Sequence, residues 1–153
     1  MRSGQGGYTL VELAVALSVA AVALAVALPA FKASADRAQL QGTAARLFAD
    51  LALTQAKAAD VQEYQEVRFA PFADYYMLYA AGGVYEGATS FLAPTRYFEG
   101  YLHLPEPTVR FNDLGHVSES GQIALEDPEG DVRDIVVYMG YGSLHSLHHT
   151  IGG

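Results

Sequence analysis

The sequence predicts an α+β fold: a long N-terminal helix, transmembrane in its first half and amphipathic in its second, packed on a small antiparallel β-sheet. Three observations predict it. Leu13 to Phe31 is an apolar run without a charged residue, and a helix of that length at about 1.5 Å per residue reaches roughly 28 Å, close to the hydrocarbon thickness of a bilayer. Leu40, Ala44, Leu47, Phe48, Leu51 and Ala58 then recur near a 3.6-residue period, while Asp36, Arg37, Arg46, Asp50 and Lys57 mostly fall elsewhere. Beyond residue 60 the pattern changes to short aromatic and β-branched segments punctuated by Gly, Pro and Asp.

The elements follow in order. Residues 1–7 form a polar leader whose one basic residue, Arg2, agrees with a cytoplasmic N-terminal flank. Residues 8–31 are the membrane-spanning segment. Ala14 with Ser18, Ala16 with Ala20, Ala21 with Ala25 and Ala23 with Ala27 place small residues at helical spacing, which lets helices approach closely in lipid, although alanine also simply favours helix. Residues 32–60 continue as the amphipathic half. If Pro29 does no more than kink the chain, one helix from about Leu10 to Asp60 would be roughly 75 Å long. Its first half then needs cover from lipid or from other copies.

Residues 61–153 read as the sheet domain. Tyr64–Phe69 and Tyr75–Ala80 are strands joined by Ala-Pro-Phe-Ala; residues 81–94 read as a loop; Thr95–Leu102 and Val109–Phe111 are strands separated by Pro105-Glu106-Pro107. Gln122–Glu126 and Val132–Tyr138 form a hairpin about the turn Asp127-Pro128-Glu129-Gly130.

A chain of 153 residues with this anchor has room for one small globular domain. It contains no cysteine, which excludes thiol catalysis and cysteine-based zinc sites and leaves stability to packing. The formal charge is −8, and beyond residue 60 thirteen acidic residues face four arginines. Such a surface repels phosphate backbones and anionic lipid, so direct DNA binding is disfavoured.

One acid stands out. Glu12 lies at the threshold of the apolar run, where an ionised carboxylate costs several kcal/mol unless it is paired or held at the interface. Gly7-Tyr8-Thr9-Leu10-Val11-Glu12 followed by an apolar helix resembles the class III signal of type IV prepilins and of type II secretion pseudopilins. The resemblance implies cleavage after Gly7 by a prepilin peptidase, N-methylation of Tyr8, a helix kink at Pro29, and a role for Glu12 in assembly. It implies as partners the peptidase and other subunits contacted through the N-terminal helix. It also implies a single-pass inner-membrane protein with a periplasmic head that later enters a filament. Tyr8 departs from the commoner phenylalanine or methionine. The physical logic is that cleavage creates an α-amine that titrates near neutrality, and in a bundle of copies the amine of one subunit can neutralise Glu12 of another.

A second resemblance covers the head. Val109-Arg110-Phe111-Asn112, Gly115, Gly121-Gln122-Ile123-Ala124-Leu125, Gly130 and Arg133-Asp134-Ile135-Val136-Val137 look like the C-terminal sheet of GspH/FimT-type minor pseudopilins, which implies a structural subunit of a type IV pilus or a type II secretion pseudopilus. Some FimT-like members bind DNA through arginines near the C-terminus, where this chain has Gly142-Ser143-Leu144-His145. A competence-type minor pilin taking part in DNA uptake is the alternative, and a membrane-tethered periplasmic binding module a further one. The stretch also imitates an ordinary secretory signal, with Ala33-Ser34-Ala35 as its cleavage site, or an uncleaved anchor. Against the ordinary signal stand the acid at the mouth of the apolar run and a helical pattern that continues through Ala33-Ser34-Ala35.

No nucleophile elbow, phosphate loop or acid–base pair is recognisable, and the expectation is a protein without enzymatic activity, cofactor or metal. His145, His148 and His149 would suit a metal only on a helix; the glycine-rich terminus reads as mobile or as a last strand, with a solvated tail whose loss leaves folding intact as the default. Asp127, Glu129, Asp131 and Asp134 do not have EF-hand spacing and read as a solvated turn.

Overall fold

The computed structural model describes residues 9–98, 107–139 and, by backbone alone, 144–150. The chain divides into two compact units, Met1–Ala35 and Asp36–Gly153. One helix, α1 (Leu10–Val61), supplies the described part of the first unit and the opening of the second. The long helix expected from Leu10 to Asp60 is therefore present. In the first unit its side chains are exposed almost throughout, including Leu13, Leu17, Val22, Leu28 and Phe31. It is long and apolar enough to cross a membrane.

In the second unit α1 buries one stripe, Asp36, Leu40, Thr43, Ala44, Leu47, Leu51, Thr54 and Ala58, with Phe48 partly covered. The apolar members are those the periodicity marks. Asp36, Thr43 and Thr54 were not expected there. The two threonines are tolerated because each is satisfied locally: Thr54 Oγ1 donates to the Asp50 carbonyl at 2.7 Å, and Thr43 Oγ1 accepts from Leu92 N at 3.0 Å. The helix stops in a Schellman turn. Gln62 takes φ 55 and Glu63 N donates to the Ala58 carbonyl at 3.3 Å, so a left-handed residue sits just past the last turn without being glycine.

Among the described residues eight strands follow: β1 (Gln65–Phe69), β2 (Tyr75–Ala80), β3 (Val84–Ser90), β4 (Arg96–Phe98), β5 (Thr108–Phe111), β6 (Gly121–Glu126), β7 (Asp131–Val137) and β8 (Leu144–Thr150). They form two four-stranded antiparallel sheets, β3-β2-β1-β5 and β4-β6-β7-β8, where one small sheet was expected. The inward residues Val67, Phe69, Tyr76, Val109 and Phe111 of the first sheet and Tyr97, Ile123, Leu125, Ile135 and Val137 of the second join the α1 stripe in one core. Phe69 stacks on Tyr97 at 5.1 Å between ring centres, which ties the two sheets together.

Two expectations are corrected. Residues 81–94 are not all loop, since β3 pairs with β2 from Val84↔Ala80 to Ser90↔Tyr75. It is an edge strand with mostly exposed side chains and a glycine within it, so it lacks the alternation that betrays a half-buried strand. Of the strand expected over Thr95–Leu102, Arg96–Phe98 are strand (β4) and residues 99–102 lie outside the described ones. The solvated tail is replaced by β8, which pairs with β7 in register from Asp131↔Thr150 to Val137↔Leu144. The side chains of His145, His148 and His149 lie outside the described residues.

The acidic turn between β6 and β7 is built rather than merely solvated. Asp127 Oδ1 accepts from Glu129 N at 3.0 Å and Asp131 N at 2.9 Å, Gly130 takes φ 85, and Asp131 is held from α1 by Arg37 Nε at 2.5 Å. On the first sheet, buried Glu66 accepts from Arg68 (2.9 and 2.6 Å) and from Arg110 Nε (2.7 Å). Burial alone would raise its carboxyl, but the two guanidiniums outweigh that and hold it below its ordinary value of 4.5.

Two outcomes are expected. Because the Glu66 value is lowered on folding, its ionised form adds stability above the ordinary carboxylate range, and that contribution disappears as the pH falls through the lowered value. Glu66→Gln should cost about 1–2 kcal/mol at neutral pH, the exposed arginines limiting the effect, and the cost should shrink in acid; denaturant melts across pH check this. Deleting residues 144–153 strips β7 of its seven-residue pairing and should lower the melting temperature clearly, rather than leaving it unchanged.

Candidate functional site

The site resides at the start of α1. Thr9 is the residue before the first helical turn and Glu12 stands three positions on, the Thr-x-x-Glu spacing of a capping box. The geometry is reciprocal. Glu12 N donates to Thr9 Oγ1 at 3.2 Å, while Glu12 Oε2 accepts from Thr9 N at 2.8 Å and from Thr9 Oγ1 at 3.0 Å. Two amides that a helix N-terminus would leave unpaired are thus satisfied by one threonine and one glutamate. The acid also lies where the helix dipole favours negative charge.

Glu12 therefore has a role within a single chain. All three bonds run between residues on the C-terminal side of Gly7, so cutting the chain after Gly7 leaves them in place. Both Thr9 bonds to the carboxylate fall on Oε2, and a carboxylate has further lone pairs on its second oxygen. The arrangement can hold an acid at a set position while leaving it able to accept from a cation supplied from elsewhere.

Of the residues singled out in the sequence, Glu12 is brought together with Thr9, while Gly7 and Tyr8 lie outside the described residues. Pro29 stands inside α1, which is helical on both sides of it. It has no amide hydrogen, so the bond that would have reached the Ala25 carbonyl is missing. Thr9 is the functional residue that the sequence reading passed over, although the Thr-x-x-Glu pattern ahead of an apolar run was its signal.

Residues 2–28 match the model of the prokaryotic N-terminal methylation motif. The motif supports a type IV prepilin-like protein. That reading carries with it processing by a prepilin peptidase and assembly as a pilin, and the apolar opening of α1 is consistent with membrane anchoring. No curated protein and no solved structure matches the chain.

Thr9→Val keeps the shape and removes the hydroxyl of the cap. In the full chain in micelles, the amides of Leu10 to Leu13 should exchange with solvent several-fold faster, for a loss of about 1 kcal/mol in the first turn. Unchanged protection would mean that the cap does not hold this end.

Proposed function

We propose that this protein is a minor pilin or pseudopilin, a structural subunit of a type IV pilus or a type II secretion pseudopilus. In this reading a prepilin peptidase cuts between Gly7 and Tyr8, Tyr8 becomes N-methylated, and the precursor waits as a single-pass inner-membrane protein with a periplasmic head. The observation that carries it is the match to the methylation motif in register with Glu12 and the apolar helix. Glu12 of one subunit, oriented by Thr9, would meet the new α-amine of another, so that withdrawal from lipid is matched by charge pairing.

The second half of α1 adds support. Away from its buried stripe, Ala38, Ala45 and Ala49 are exposed at steps of seven and four residues, while Ala52, Ala56 and Ala59 border a depression shared with Leu114, Gly115 and His116. A surface helix facing only water usually spends these positions on charged residues. Small ones instead permit the close approach of another helix, which suits a subunit packed among copies. The GspH/FimT-like assignment rests on the Val109–Asn112, Gly121–Leu125 and Arg133–Val137 segments. They form most of β5 with the residue after it, most of β6, and most of β7.

Mass spectrometry of the native protein tests the reading directly. The expected species begins at methylated Tyr8; a chain beginning at Met1, or at Asp36, would overturn it. Glu12→Val should still insert in the membrane yet be recovered in sheared filaments at a small fraction of the wild-type level, because the charge pair forms only on assembly. Equal recovery would remove Glu12 from the mechanism.

A further inference from the structure

Phe72 is an aromatic side chain kept where the backbone disfavours it. Ala70-Pro71-Phe72-Ala73 turns the chain between β1 and β2, with Ala73 N donating to the Ala70 carbonyl at 3.1 Å and Phe72 at φ 56. Proline at the second turn position and a left-handed residue at the third is the type II pattern, whose third position suits glycine or asparagine and strains a bulky residue. Burial does not offset that strain. Phe72 is 56% exposed, and the ring it packs against, Phe98, lies edge-on at 6.4 Å. An exposed aromatic is ordinary by itself; one held in a left-handed backbone and still left in water points to a contact outside the chain.

A matching receptor lies elsewhere on the head. A depression of about 310 Å³ opens where α1 meets the turn after β5, between Ala52, Ala56 and Ala59 on the helix and Leu114 and His116 on the turn. The turn is clamped to the helix. Gly115 takes φ 73, and a Cβ there would stand 2.9 Å from the Gln55 carbonyl oxygen, so only glycine allows this approach. Gln55 Nε2 donates to the Gly115 carbonyl at 2.9 Å and fastens the two walls together. Alanine methyl groups form one wall, and the exposed side chain of Leu114 stands on the other. Among the described lining residues none is acidic, in a head where acids outnumber arginines thirteen to four beyond residue 60. Phe72 packs on Phe98 and takes no part in this lining, so the chain's own ring does not fill the pocket.

Ring and pocket are both free of acids, so they can meet without forcing two negative surfaces together at the point of contact. An apolar knob on one part of a molecule and an apolar pocket on another make a head-to-tail contact, which repeats from copy to copy where its rotation does not close a ring. We propose that Phe72 of one copy inserts between Ala56 and Leu114 of the next. This inference rests on the reading of the chain as a filament subunit and names the contact through which one head grips its neighbour.

The test places p-benzoylphenylalanine at position 72 of the full chain, in cells that assemble the protein. The label keeps an aromatic ring there and on irradiation captures what lies against it. Peptide mapping should find the capture on residues 52–59 or 114–116 of a second copy. Leu114→Glu, at an exposed position, sets a charge at the pocket mouth and should cut that capture at least about tenfold. The same label in place of Ala16, within the apolar stretch, reports packing through the helix independently. Capture of another copy from position 16 but not from 72 overturns the inference and leaves the filament reading standing; capture from neither overturns both. Capture from position 72 of lipid, of a different protein, of the label's own chain or of another part of a copy also overturns it, as does undiminished capture in Leu114→Glu.

Discussion

The circumference of α1 is what the remaining structure answers to. Along its first stretch the helix is apolar all round, and along its second it is apolar or small on two opposite faces, one buried under Leu40, Leu47 and Leu51 and one bearing exposed alanines. Water satisfies neither the first stretch nor the buried stripe of the second, and burying such surface is the largest favourable term available to a chain without disulfides. The sheets cover one face of the second stretch. Lipid or neighbouring helices suit the apolar first stretch, whose one acid, Glu12, stands where a cap and the helix dipole hold it.

The head solves a different problem, that of an excess of negative charge in a small volume. Several of its carboxylates are matched by cations or amides. Glu66 receives two arginines, Asp131 receives Arg37, and Asp127 folds back on the amides of its own turn. Lys57 on α1 pairs with Glu86 on β3, and Arg96 with Glu126 across β4 and β6. Most of these pairs have at least one exposed partner, so each adds little by itself. Their shared effect is to fix the helix and the strand ends in one register.

Legibility in the sequence followed the strength of the physical signal. α1 could be read to within a residue of its end because its pattern runs over many turns, and β2 because aromatic residues crowd it. β3 was hidden, since an edge strand need not alternate, and β8 was legible only as one of two readings because its glycine-rich surroundings also resemble a tail. The partition into two sheets could not be read, because it depends on β5 pairing with β1 rather than with its neighbour in sequence. At the helix start Glu12 was conspicuous as a charge in an apolar setting. Thr9 was not, because a threonine among apolar residues draws attention only once its partner three residues on is considered as a donor and acceptor pair.

The distribution of strands between the sheets has its own consequence. The chain gives three strands to the first sheet, one to the second, returns once to the first with β5, and then completes the second. Neither half can finish without waiting for the other. The head should therefore melt as one cooperative unit, and a nick in the connection between β4 and β5 would loosen both layers at once rather than freeing a stable half.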